Sequence, residues 1–116
     1  MKSHNFENLD VWKRGCRLAV NVCVASHASK EFALKDQIVR SSISIPSNIA
    51  EGQGRNTKGE FLQFLGIAKG SLCELETQIL IAKNLGYIAT TDALEERINE
   101  VARLLNGLVN SLKTDN

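Results

Sequence analysis

Seven apolar residues between Phe61 and Ala82 set the fold of this chain. Phe61, Leu65, Ala68, Leu72, Leu75, Ile79 and Ala82 follow one another at intervals of 4-3-4-3-4-3. That is a heptad seam, and it commits the segment to a long helix packed at a shallow angle on a neighbour. The flanks agree. Thr57-Lys58-Gly59-Glu60 reads as a capping box, with the Thr57 hydroxyl accepting from the Glu60 N–H and the Glu60 carboxylate reaching back to the Thr57 N–H. Gly86 supplies a left-handed stop after Leu85.

Three further helices surround this one. The first is expected from about Leu9 to Ser26. Its apolar positions Val11, Trp12, Cys16, Leu18, Ala19, Val20, Val22 and Cys23 spread over an arc of about 200° at 100° per residue, beside a polar stripe of Arg14, Arg17 and Asn21 with Lys13 at its edge. The second runs from about Phe32 or Leu34 to Glu51, with Leu34, Ile38, Ser42, Ile45 and Ile49 on one side. Pro46 falls inside it and removes one hydrogen bond. Ile49 and Ala50 keep the phase beyond it, so the expectation is a kinked helix rather than two. The fourth takes Thr90 or Thr91 as N-cap and carries Leu94, Ile98, Val101, Leu105, Leu108 and Leu112 at 4-3-4-3-4, opposite Glu96, Asn99, Glu100, Arg103 and Asn110.

These patterns predict an all-α, antiparallel up-and-down four-helix bundle with a Pro-kinked second helix, forming one domain over residues 1–116. The length suits a single core. One proline and eight glycines are too few for a turn-rich β-sandwich.

The third helix has a second stripe: Leu62, Gly66, Gly70, Cys73, Thr77 and Leu80. It is small and uncharged. Each of the two glycines costs about 1 kcal/mol of helix propensity against alanine, which implies close approach of another backbone. The first and third helices thus read as buried on two sides and the fourth on one. An oligomer interface along the second stripe follows as the expectation.

Chemistry-bearing constellations are few. A di-iron bundle needs Glu-x-x-His pairs, and neither His4 nor His27 is so placed. Cys16, Cys23 and Cys73 have neither disulfide-framework nor zinc spacing and read as reduced thiols. Ser41, Ser42, Ser44 and Ser47 cluster without a histidine at helical spacing. Arg17 and His27 are too far apart for the arginine-histidine spacing of one class of all-helical ribonucleases. Gly52-Gln53-Gly54-Arg55 lacks a preceding strand and any phosphate-loop spacing, so it reads as a tight interhelical turn. Glu51 beside it needs a donor, from Arg55 or a neighbouring subunit. No catalytic residue, metal site or cofactor is expected.

The formal charge is +1, which announces no nucleic-acid binder. Its distribution is uneven. Residues 1–58 hold nine Lys/Arg against five Asp/Glu, a net +4, and residues 59–116 hold five against eight, a net −3. Lys13, Arg14, Arg17, Arg55 and Lys58, with Arg40 as a possible addition, form the one candidate for phosphate contact. Exposed aromatics interleaved for base stacking are missing. Neither a signal-peptide core nor a run long enough to span a membrane interrupts the helical pattern, so a cytoplasmic protein is expected.

Four segments of the chain resemble a known family. They are Leu9-Asp10-Val11-Trp12-Lys13; the run from Ser44 through Pro46, Asn48, Glu51 and Gly52 to Gly54-Arg55; Glu60-Phe61-Leu62-Gln63-Phe64-Leu65 leading to Gly70-Ser71-Leu72-Cys73-Glu74-Leu75-Glu76-Thr77-Gln78; and Leu104-Leu105-Asn106-Gly107-Leu108. The pattern resembles the bacterial four-helix-bundle proteins encoded in intervening sequences of 23S rRNA genes. That family is similar to the accessory variability proteins of diversity-generating retroelements. The resemblance implies a homopentameric barrel without enzymatic activity or cofactor. The retroelement relatives bind nucleic acid and a reverse transcriptase through a basic barrel, and the +1 charge of this chain departs from that. Two functions remain: an oligomeric scaffold engaging structured RNA or an RNA-handling partner, and a protein-binding adaptor with no nucleic-acid role.

Overall fold

The computed structural model describes residues 9–89 and 92–114. Four helices occupy nearly all of them: α1 (Asp10–Ser26), α2 (Phe32–Gln53), α3 (Lys58–Asn84) and α4 (Asp92–Thr114). Each packs on its two neighbours in the cycle α1-α2-α3-α4, and α2 against α3 is the most extensive pairing. The bundle measures 47 × 20 × 20 Å.

The heptad seams are the core. Leu65, Ala68, Leu72, Leu75, Ile79 and Ala82 of α3 and Leu94, Ile98, Val101 and Leu105 of α4 are all buried, and Phe61, Leu108 and Leu112 pack at the edge. Val11, Leu18 and Val22 of α1 and Ile38, Ile45 and Ile49 of α2 complete it. Each such aliphatic side chain contributes about 1.5–3 kcal/mol on burial, so the seams supply most of the folding force.

The helix ends follow their sequence signals with one change. The Glu60 N–H donates to Thr57 Oγ1 at 3.1 Å, as a capping box requires. The Glu60 carboxylate meanwhile accepts from the Thr57 hydroxyl at 3.1 Å. At the far end Gly86 takes φ +73°, its N–H donating to Lys83 O and the Tyr87 N–H to Ala82 O. This is a Schellman stop, which a residue with a Cβ adopts only under strain. The expected N-cap of α4, Thr90 or Thr91, lies outside the described residues.

Pro46 lies within a single unbroken α2, as the continued phase of Ile49 and Ala50 implies. It is buried, and it packs against α1 where a Cβ on Gly15 would stand 3.5 Å from the proline Cβ. That contact sets the level of α1 against α2. Ser44 Oγ and Ser71 Oγ, 2.7 Å apart, set α2 against α3.

Candidate functional site

The run around Pro46 is committed to packing and local hydrogen bonds. The Asn48 amide donates to Ser44 O at 2.8 Å and to Ser44 Oγ at 2.9 Å, which joins it to Ser71 on α3. Ser42 Oγ donates to Val39 O at 2.8 Å. These hydroxyls satisfy backbone carbonyls and one another, a structural use of serine in a helix. Gly52 is buried beneath two phenylalanines. A Cβ there would stand 2.7 Å from Phe64 Cβ and 2.9 Å from Phe61 Cδ1. Only glycine lets α2 and α3 meet this closely at their shared turn. Glu51 accepts from Arg55 at 2.7 Å, so its donor is in the same chain, and Gly54 ends α2 with an ordinary right-handed φ of −77°.

The basic residues gather at one end of the bundle but act differently there. Since Gly15 faces Pro46, the start of α1 and the α2–α3 turn lie at the same end. Lys13 and Arg17 are exposed and have no ion pair among the described residues. Arg14 is pinned between Asp10, at 3.6 Å, and Glu100 of α4. Arg55 is held by Glu51 and lies 4.8 Å from the Phe64 ring centroid, over its face. Lys58 is exposed at the first position of α3. Arg40 is paired with Asp36 at 2.8 Å near the other half of α2. Sequence spacing places these cations together; it gives no sign that Arg14 reaches a carboxylate 86 positions away.

The second stripe of α3 faces outward. Leu62 is half-buried, and Gly66, Gly70, Cys73, Thr77 and Leu80 are exposed. A Cβ on Gly66 or Gly70 would meet nothing within 4 Å. The close approach these glycines imply is therefore not made inside one chain. Exposed apolar residues continue around the same face with Ile67 and Ile81. On α1, Val20 and Val24 are 61% and 71% exposed. Two open grooves accompany these faces. One, of about 340 Å³ between α3 and α4, is lined by Glu76, Thr77, Ile79, Leu80, Ile98 and Asn99, with the 3.1 Å Lys83–Glu95 ion pair at one end. The other, of about 390 Å³ between α1 and α2, is lined by Trp12, Cys16, Ala19, Ile43, Pro46 and Ala50.

The family model for the 23S rRNA-intervening sequence protein matches residues 7–107. The chain belongs to that family. Among solved structures, it is similar to a protein of unknown function from the S23 ribosomal protein family of Bacteroides thetaiotaomicron. The two are 27% identical, the match covers 90% of this chain and 99% of the other, and the TM-score is 0.72. No curated protein matches.

In this 23S rRNA-intervening sequence protein the interior is aliphatic. Ser26, Ser41, Ser42 and Ser71 are its buried polar residues, and Ser26 returns its hydroxyl to Val22 O at 2.9 Å. Among the described residues no three of His, Cys, Asp and Glu are grouped as a metal would need. His27 caps the end of α1, while His4 lies outside the described residues. The three thiols differ: Cys73 is exposed, and Cys16 and Cys23 are half-buried. Burial pushes the Cys16 thiol up from its ordinary value. No helix of the described chain is long and apolar enough to cross a membrane.

Proposed function

We propose that this family member is a non-catalytic, cytoplasmic scaffold protein. It assembles into a homo-oligomer through the outer faces of α1 and α3, and the assembly engages structured RNA or an RNA-handling partner. The observation that carries the reading is the outer face of α3. A helix of 27 residues with a complete buried seam still turns Gly66, Gly70, Cys73, Thr77 and Leu80 to water. An exposed apolar face at a cost in helix propensity is what a subunit contact explains. Five copies is the number that the family resemblance implies. The aliphatic interior and the serines committed to backbone carbonyls support a role without catalysis.

For RNA, Lys13 and Arg17 are exposed and hold no ion pair among the described residues, while Arg14 and Arg55 already hold carboxylates. That reduced footprint favours the second reading, a protein-binding adaptor with no nucleic-acid role. Solution mass by light scattering, with the 260/280 nm absorbance ratio on the same peak, tests both. A pentamer-sized species that Gly66→Leu with Gly70→Leu breaks supports the scaffold; a wild-type monomer overturns it. Co-eluting nucleic acid whose affinity and salt slope both fall in Lys13→Ala supports the RNA clause. A clean protein peak with no affinity at low salt leaves the adaptor.

A further inference from the structure

Two of the six arginines, Arg14 and Arg97, are half-buried, and they differ in what they hold. Arg14 lies between two carboxylates, Asp10 one turn back on α1 and Glu100 on α4. Arg97 forms no ion pair among the described residues. A guanidinium cannot shed its proton, so one held partly out of water without a counter-charge favours an anion beside it.

Both arginines belong to one seam. Glu95, Ile98 and Asn99 line the α3 side of α4, whereas Glu100 reaches α1. Arg97, three residues from Glu100, lies on that same α1 flank. On α1, Arg17 is three residues from Arg14, exposed and without an ion pair among the described residues. Since α1 and α4 run antiparallel, Arg17 and Arg97 depart from the Arg14–Glu100 pair in the same direction. Each is less than one turn away, roughly 4.5 Å at 1.5 Å per residue. Three guanidinium groups thus gather about Glu100, and α1 offers no acidic residue after Asp10. The paired side chains of Arg14 and Glu100 are 39% and 30% exposed, open enough for a ligand to exchange with the carboxylate.

We propose that the α1–α4 seam is a phosphate site, in which Arg14, Arg17 and Arg97 hold the phosphate group and Glu100 occupies Arg14 until the phosphate displaces it. A phosphate has enough oxygens to accept from three guanidinium groups at once, which a single carboxylate has not. Glu100 is then a built-in competitor: it keeps Arg14 extended toward α4 and lowers the affinity for the ligand. The proposal rests on the RNA reading above for the source of the phosphate. It adds Arg97, a cation from the acidic half of the chain, and gives Arg14 a role that its ion pair conceals.

Two probes test this: inorganic phosphate, followed by the side-chain NMR resonances of the arginines, and a fluorescein-labelled RNA hairpin, followed by anisotropy. Phosphate should move the Arg14 and Arg97 resonances together. Arg97→Ala should weaken RNA binding about fivefold, and Glu100→Gln should strengthen it by about the same factor, as expected for one unit charge at close range. A gain in affinity cannot come from a misfolded variant, and unchanged circular dichroism checks Arg97→Ala. RNA that binds wild type and both variants equally overturns the site while the RNA reading stands. Resonances that move with acetate as they do with phosphate overturn the phosphate assignment. Phosphate that moves both arginines in a protein with no RNA affinity supports the site for a small phosphorylated ligand and removes the RNA reading. No response to either probe overturns both.

Discussion

α3 and α4 carry the same inward pattern and opposite outward ones. Both have a seam at alternating intervals of four and three, and both bury it against the rest of the bundle. On its far side α4 shows Glu96, Asn99, Arg103 and Asn110 to water, as a surface helix should. On its far side α3 shows glycine, threonine, cysteine and leucine. The seam explains how the chain folds and is indifferent between the two helices. What separates them is the outer face.

The largest effects should fall where the two helices are alike. Leu75 and Leu105 are both fully buried. Leu75→Ala and Leu105→Ala should each cost about 3 kcal/mol in denaturant unfolding. A much smaller loss at either position would mean that one seam is loosely packed and the equivalence is false.

The next effect contrasts two kinds of glycine. Gly52→Ala drives a Cβ into Phe64 and Phe61 and should cost about 1–3 kcal/mol, read as a fall in the denaturation midpoint. Gly66→Ala meets nothing and should stabilise the isolated subunit by about 1 kcal/mol through helix propensity. Equal losses at both sites would show that the outer face of α3 is packed within the chain after all.

The smallest effect is kinetic. Cys73 lies on the exposed α3 stripe, so it should react with a thiol reagent readily in dissociated protein and slowly in the assembly. Cys16, its thiol pushed up by burial, should label more slowly than Cys73 of dissociated protein at the same pH and faster as pH rises. The folded state holds that proton longer than the unfolded chain does. Its stabilising contribution is therefore full below the ordinary thiol pKa and is lost as pH climbs through the raised one. Labelling of Cys73 at one rate in both states would remove it from the interface.

The seams, the Thr57 cap, the Gly86 stop and the continuity through Pro46 were legible in the sequence because each is local: a spacing, a dihedral preference or a missing N–H. The Glu51–Arg55 pair was legible for the same reason, as an i, i+4 contact. The reason for Gly52 was not, since it depends on two phenylalanines of the next helix. Nor was the capture of Arg14 by Glu100, which needs the ends of the chain brought side by side. Two of the cations that periodicity grouped, Arg14 and Arg55, carry partners, and the Arg14–Glu100 pair is one that spacing had no means of finding.

A rod 20 Å across is two helices thick, since packed helices sit 8–10 Å apart. No core side chain in it is more than one helix away from the surface, and most of the described residues sit where a neighbour of any kind could touch them.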